Sequence, residues 1–183
     1  MGRFSVIETG IKDLKVIKYD PFVDSRGYFF ESYNKNDFTN LGITDEFVQD
    51  NESMSSKGVL RGLHFQIKYP QTKLVRCLKG KVFDVAVDIR KGSPTYGKYY
   101  GVELTEDNNT MFYVPKNFAH GFLVLSDTAK FSYKVTDFYH PNDEGGIIYN
   151  DPDLNIKWPI PCDENFKIML SDKDTKNPRF KDL

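Results

Sequence analysis

Polar side chains capable of proton transfer interrupt an apolar strand pattern at several places in this sequence. The densest segment is 47–66, FVQDNESMSSKGVLRGLHFQ, where Gln49 and Asn51 share one strand face and His64 lies on the next strand. Lys73 follows nine residues after His64. An imidazole titrates near neutral pH, which makes His64 a candidate acid–base group. The structural alternative is a hydrogen-bonded histidine together with a solvated lysine.

Two further segments place chemically active side chains at strand ends. VPKNFAHG brings His120 to the start of a strand, and FSYKVTDFYH carries Tyr133 and Tyr139. A tyrosine among apolar neighbours is most often a core residue with a paired hydroxyl, and Tyr139 also fits a surface packing role. Spacing alone does not show that these side chains converge.

The sequence lacks the usual motifs of a metal site and of a glycine-rich phosphate loop. The chain has three histidines, and the first lies in His64-Phe65-Gln66 rather than in a His-x-His pair, which disfavours a metal site. Neither GxGxxG nor GxxxxGK[ST] occurs, so a phosphate group would have to be held by Arg and Lys side chains. We therefore expect no metal and no cofactor.

The elements that must position these residues are mainly strands. The run 81–89, KVFDVAVDI, alternates, with Phe83 and Val85 on one face and Asp84 and Ala86 on the other. Similar runs predict strands at 14–19, 28–33, 74–78, 99–104, 111–114, 122–125 and 131–136, separated by Gly-, Pro- and Asn-containing turns. A short helix is predicted at 34–41 and irregular structure from 142 onward. This pattern predicts an antiparallel barrel or sandwich.

Composition limits the class of protein. The 183 residues fit one domain, 1–183, and 25 basic against 26 acidic residues give a net charge of −1, which argues against nucleic-acid binding through a basic face. No apolar run approaches the ~20 residues that span a bilayer, and the start of the chain lacks the pattern of a signal peptide. Cys77 and Cys162 are too few for a disulfide framework. We expect a cytoplasmic protein with neither nucleic-acid nor membrane partners.

Several long motifs, in order, resemble the dTDP-4-dehydrorhamnose 3,5-epimerases. They extend from Asp24 to Asp174 and read DSRGYF, FVQDNESMSSKGVLRGLHFQ, QTKLVRCLKGKVFDVAVDIRKGSPTYGKYYGVEL, VPKNFAHGFLVLSD, YKVTDFYHPNDEGGIIYNDPDLNIKWP and LSDKD. The resemblance implies an all-β, cupin-like jelly roll with short peripheral helices. It also implies a homodimer and a metal-free epimerisation of a dTDP-4-keto-6-deoxyhexose at carbons 3 and 5.

The resemblance implies a role for each polar cluster. His64 matches the base, Lys73 the cation that stabilises the enolate, and Tyr133 the acid that reprotonates from the opposite face. Asp174 matches the carboxylate that orients the base. Asp172 stays a second candidate because it would share a face with Asp174 if the segment were extended.

The resemblance also implies the residues that support catalysis or bind the nucleotide. Asp84 and His120 are a possible supporting pair, and Tyr139 matches an aromatic residue that stacks on thymine. The substrate-binding set is Arg26, Glu31, Gln49, Asp50, Asn51, Arg61, Lys73, His120, Tyr139, Glu144 and Lys173, of which Arg26 and Glu31 would reach the neighbouring subunit's site.

One implied residue conflicts with simple alternation. Strand parity puts Arg61 on the face opposite to His64, so both can enter one site only if a bulge near Gly62 shifts the register or Arg61 lies at the barrel mouth. The sequence is also compatible with three other functions: a mono-epimerase acting at one carbon, a catalytically idle sugar-nucleotide-binding cupin, and a metal-dependent cupin enzyme.

Overall fold

The described chain consists mainly of short antiparallel strands. A computed structural model describes residues 3–163 and 165–183. Within them the elements are, in chain order, β1 (Phe4–Glu8), β2 (Lys15–Tyr19), β3 (Phe22–Asp24), β4 (Gly27–Phe29), α1 (Lys35–Asn40), β5 (Gln49–Ser56), β6 (Leu60–Gln66), β7 (Lys73–Lys79), β8 (Lys81–Asp88), β9 (Tyr99–Thr105), β10 (Thr110–Val114), β11 (Phe118–Val124), β12 (Thr128–Val135), β13 (Glu144–Gly146) and the 3-10 helices Asp174–Lys176 and Phe180–Asp182.

The strands form two large sheets and a separate hairpin. One sheet has the order β1-β2-β10-β7-β12-β5, the other has the order β13-β6-β11-β8-β9, and β3 pairs with β4. The two large sheets face each other across a core that includes Val75 and Phe112 from the first sheet and Val82 and Phe122 from the second. The prediction of an all-β, cupin-like jelly roll is confirmed by this arrangement.

Both large sheets are also covered on their outer faces. Ile17 and Leu74 pack under Phe38 of α1, while Val85 packs under Leu154 of the segment after β13. The two faces predicted for 81–89 are therefore both buried. The face that carries Asp84 is the one turned towards the interior between the sheets, because its neighbours Val82 and Ala86 belong to the central core.

The structure confirms the predicted helix but differs from some of the predicted strands. The helix at 34–41 is confirmed: Asn34 caps α1 by accepting the backbone N–H of Asn36, and Gly42 ends the turn with a φ of +79°. The strand predicted at 28–33 was wrong beyond Phe29, because among the described residues β4 pairs only with the three residues of β3. Strand β1 was not predicted. The end of the chain is irregular, as predicted, with β13 and the two 3-10 helices as its regular elements.

Candidate active site

A cavity of about 450 Å³ opens between the two sheets and is lined by several of the predicted site residues. The predicted site residues that line it are Arg61, His64, Lys73, His120, Tyr133, Lys173 and Asp174. They come from β6, β7, β11, β12 and the start of the 3-10 helix Asp174–Lys176, so both sheets contribute. The tertiary fold therefore converts separate sequence clusters into one site.

His64 and Asp174 form a hydrogen-bonded pair in this cavity. The Nε2 atom of His64 bonds the Oδ1 atom of Asp174, whose side chain is almost fully buried. Burial alone would raise the pKa of Asp174, but hydrogen bonds with His64, Ser171 and the backbone N–H of Gly62 outweigh it and lower that pKa. The carboxylate is thus held ionised next to the imidazole.

The alternative carboxylate, Asp172, lies outside this pair. Its side chain is exposed, and its carbonyl oxygen accepts a hydrogen bond from the Thr175 hydroxyl at 2.8 Å. The segment turns into the 3-10 helix Asp174–Lys176 and is not extended, so residues two apart do not share a face. The suggestion that Asp172 pairs with His64 was wrong for this reason.

A bulge in β6 lets Arg61 and His64 enter the same cavity. The pairing of β6 with β11 changes register between His120 and Phe122, and Gly62 has a φ of +128°. A Cβ atom at Gly62 would lie 2.6 Å from the Cα of Gly121, so glycine is required there. The predicted bulge near Gly62 is confirmed.

A cluster of buried ionisable groups includes His120, which lines the cavity, and Asp84, whose Oδ1 atom is 2.8 Å from the Nε2 atom of His120. The second carboxylate oxygen of Asp84 is buried without a hydrogen-bond partner in the described structure. Burial lowers the pKa of His120 and raises that of Asp84. Burial also lowers the pKa of Lys73 from 10.5 to about 8, opposed by the negative charge of Asp84. Lys73 is therefore a partly buried cation near its titration point.

Tyr133 lines the cavity from the sheet opposite to the one that carries His64. It lies on β12, in register with Val75 of β7 and Asn51 of β5. Burial raises the pKa of its hydroxyl, opposed by the positive charge of Arg61. Tyr133 therefore keeps its proton at neutral pH, as a proton donor must.

A smaller recess of about 110 Å³ adjoins the first cavity. It shares His64, Lys73 and Tyr133 with the cavity and adds Tyr139 and Glu144. Tyr139 is 52% exposed and is therefore accessible to a ligand in the recess. This recess extends the site beyond the main cavity.

Two of the residues predicted to bind the nucleotide form an ion pair with each other where the cavity meets the recess. Lys173 forms an ion pair with Glu144 of β13. Lys173 lines the main cavity, and Glu144 lines the recess. The pair therefore bridges the two parts of the site.

The three predicted residues of β5 divide between the two faces of the strand. The side-chain amide of Gln49 donates to Asn51 at 2.8 Å, and Ser53 continues this face into the cavity. The carboxylate of Asp50 instead pairs with Lys134 on the other face, at 2.8 Å. The Asp50 side chain therefore does not line this chain's own cavity, and its place in the substrate-binding set stays a prediction.

Arg26 and Glu31 lie away from this chain's cavity. Arg26 is exposed at the turn between β3 and β4 and bonds Asp24, and Glu31 accepts from the Asn34 amide at 3.2 Å. The surrounding hairpin exposes large apolar side chains, namely Phe22, Val23, Tyr28 and Phe29, at 54–74%. Such a patch is typical of a protein–protein contact.

Some lining residues were not singled out from the sequence. Ser53 and Ser171 had a signal, the first in the alternation after Asn51 and the second in the LSDKD motif. Phe122 and Met169 had none, because an apolar residue on a strand or loop looks the same whether it lines a cavity or fills a core. Among residues 3–163 and 165–183, no group of three or more His, Cys, Asp or Glu is arranged to hold a metal ion.

Comparison with known proteins assigns the family. Residues 8–182 match the family model for dTDP-4-dehydrorhamnose 3,5-epimerase. This chain belongs to that family. The predicted isomerase of dTDP-rhamnose biosynthesis is thereby confirmed. The Escherichia coli dTDP-4-dehydrorhamnose 3,5-epimerase is 51% identical over 94% of this chain and 92% of its own length.

This chain is similar to two solved structures of epimerases that were determined with bound sugar nucleotides. The Legionella pneumophila 3,5-epimerase in complex with dTDP-4-keto-L-rhamnose is 50% identical, with a TM-score of 0.93 over 97% of this chain and 93% of its own. A 3′-monoepimerase from Streptomyces bikiniensis in complex with dTDP-quinovose is 31% identical, with a TM-score of 0.85 over 94% of this chain and 86% of its own. In the described part of the epimerase no helix is long and apolar enough to cross a membrane.

Proposed function

We propose that this epimerase converts dTDP-4-dehydro-6-deoxy-D-glucose into dTDP-4-dehydro-L-rhamnose by inverting carbons 3 and 5, as one domain in the cytoplasm. The observation that carries the proposal is the convergence of His64, Lys73 and Tyr133 on one cavity, with Asp174 bonded to His64. Inversion next to a ketone needs a base, an enolate stabiliser and an acid on the opposite face. These side chains supply all three.

His64 is the proposed base. Its imidazole removes the proton from the carbon next to the ketone, and the bonded carboxylate of Asp174 stabilises the imidazolium that forms. The same carboxylate fixes the orientation of the ring and the tautomer that presents a free nitrogen. The electron pair of the broken C–H bond then passes to the ketone oxygen.

Lys73 is the proposed stabiliser of that oxygen. Its ammonium lines both the cavity and the recess, and a fixed cation lowers the barrier where negative charge develops. The negative charge of Asp84, which is hydrogen-bonded to His120, stabilises the buried ammonium of Lys73. We propose Asp84 and His120 as the supporting pair, with His120 also facing the ligand.

Tyr133 is the proposed acid. It enters from the sheet opposite to that of His64, so its proton reaches the other face of the planar enolate carbon. Return of a proton from that side inverts the carbon. The same pair of groups is proposed to act at carbon 5.

The nucleotide is proposed to extend from the cavity into the recess. Tyr139 stacks on thymine, Arg61 and Lys173 bind the diphosphate, and Glu144, with Gln49 and Asn51 of β5, supplies polar contacts. The bound product in the related Legionella structure supports a sugar nucleotide as the ligand.

A homodimer is proposed to complete each site with Arg26 and Glu31 of the partner. The exposed apolar hairpin supports it, as does the finding that neither residue lines this chain's own cavity. Mixed dimers of Arg26→Ala and His64→Ala test it. If Arg26 acts on the neighbouring site, one site per mixed dimer has both groups and activity returns; if mixing the two inactive variants restores nothing, the shared site is wrong.

The reaction is tested by proton NMR of dTDP-4-keto-6-deoxyglucose in deuterated water, with a coupled NADPH-dependent ketoreductase to trap the product. Deuterium at carbons 3 and 5 with an L-rhamno product supports the proposal. Deuterium at one carbon would favour the second candidate function, that of a mono-epimerase. The similarity to the 3′-monoepimerase from Streptomyces bikiniensis supports this candidate. Binding without exchange would indicate an idle binder, and loss of activity with a chelator would indicate a metal enzyme.

A further inference from the structure

Two loops meet at the recess and are joined by a buried glutamine. Gln66, the last residue of β6, is 7% exposed. Its side-chain amide donates to the carbonyl oxygen of Tyr69 at 3.0 Å, in the loop 67–72. Its side-chain oxygen accepts the backbone N–H of His140 at 3.1 Å, in the loop 136–143. One side chain therefore fastens both loops to the strand that carries His64.

The loops are also joined directly to each other. The carboxylate of Asp143 accepts the backbone N–H groups of Lys68 and Tyr69 at 2.9–3.0 Å. The rings of Tyr69 and His140 stack with centroids 4.1 Å apart. Gln71 donates from the other side to the carbonyl oxygens of Asp137 and Phe138, at 2.9 and 3.1 Å. The loop 136–143 is thus held at several points along its length.

These contacts surround Tyr139 without covering it. The residue before it, Phe138, is bonded by Gln71, and the residue after it, His140, is bonded by Gln66. The Tyr139 ring itself remains half exposed at the recess. An aromatic platform fixed in advance loses less conformational freedom when a ligand stacks on it, which strengthens binding.

We propose that Gln66 is a positioning residue that holds Tyr139 in place for the nucleotide base. This inference rests on the function proposed above. An amide is needed at position 66 because one atom must donate and another must accept. A methionine has a similar length but can neither donate nor accept these hydrogen bonds. A glutamate keeps the acceptor oxygen, but its carboxylate would face the Tyr69 carbonyl oxygen and repel it.

The test measures dTDP affinity by calorimetry and the rate of solvent deuterium exchange at saturating sugar nucleotide. For Gln66→Met we expect the Kd for dTDP to rise about tenfold, since about two hydrogen bonds that order the platform are lost, with the saturated exchange rate within about threefold of wild type. Gln66→Glu keeps the acceptor for the His140 N–H and loses only the bond to the Tyr69 carbonyl, so we expect a smaller rise in the Kd for dTDP. This variant is measured if the methionine variant does not fold.

Asn108 is the matched control. Its amide also donates to one carbonyl, that of Glu103 at 2.7 Å, and accepts one backbone N–H, that of Thr105 at 3.2 Å, in the turn between β9 and β10. Asn108→Leu should leave the dTDP Kd within about twofold of wild type. An unchanged Kd in the Gln66 variants, or an equal loss in Asn108→Leu, would overturn the inference. Wild-type protein that neither binds dTDP nor exchanges protons would instead contradict the proposed function.

Discussion

The imidazole of His64 is bonded to the carboxylate of Asp174, which lies 110 residues further along the chain. The strand β6 supplies the histidine, and a short 3-10 helix near the end of the chain supplies the carboxylate. Nothing local in either segment brings them together. Their contact depends on the last segment of the chain returning to β6, where Leu60 donates its N–H to the carbonyl of Met169 at 2.9 Å.

Replacing Asp174 with asparagine should remove the charge that stabilises a protonated His64. We expect kcat for deuterium exchange to fall about 10²-fold or more, because acid–base groups of this kind contribute 10²–10⁴-fold. The Kd for dTDP should change less than about threefold. Asp172→Asn, two residues earlier and exposed, is the control and should retain wild-type exchange. Equal losses in the two variants would contradict the pairing seen here.

The activity of wild-type protein should fall as the pH rises through about 8. The pKa of Lys73 is lowered from 10.5 to about 8 by burial, so the charge needed by the enolate is lost above that pH. The measurement is kcat/KM for proton exchange between pH 6 and 10, which reports the free enzyme. Lys73→Arg should be slower but keep its charge, so its profile should lack this fall. A wild-type profile that stays flat to pH 10 would speak against Lys73 as the cation.

Tyr133→Phe should separate removal of a proton from its return. His64 is unaltered, so exchange of the substrate proton with solvent continues, while protonation from the opposite face slows because the hydroxyl is gone. We expect about 10²-fold less L-rhamno product in the coupled ketoreductase assay, together with measurable deuterium incorporation into recovered substrate. Wild-type product formation by this variant would remove Tyr133 from the mechanism.

A fully buried carboxylate outside the site should control stability. Asp88 accepts hydrogen bonds from Arg90, Ser93 and Thr95 at 2.6–3.0 Å, and these bonds outweigh burial and hold its pKa well below its usual range. A lowered carboxyl pKa stabilises the fold above the unfolded value near 4, and this stability is lost as the pH falls below it.

Asp88→Asn should therefore lower the free energy of unfolding by about 3 kcal/mol at pH 7, because it leaves Arg90 without its buried partner. The difference from wild type should shrink as the pH is lowered from 4 to 2 in urea unfolding. Asp13→Asn, which removes the half-exposed second partner of Arg90 at 3.1 Å, should cost about 1 kcal/mol or less. A difference for Asp88→Asn that stays constant with pH would contradict this account.

The sequence alone determined the class of fold, because alternation and turn residues are local properties. It also determined α1, whose cap Asn34 and terminal Gly42 act within one turn of the helix. The resemblance of its motifs to a known family indicated His64, Lys73 and Tyr133 as a set, whereas their spacing alone did not show that they converge. Residue types that are unusual on strands are visible in a sequence without any knowledge of their neighbours.

Only the tertiary structure decided which groups meet. It paired Asp174 rather than Asp172 with His64, because the segment turns where an extended strand would have kept both on one face. It turned Asp50 away from the cavity and brought Arg61 in through the bulge at Gly62. These outcomes depend on chain reversals and register shifts between distant segments, which periodicity within one segment does not encode.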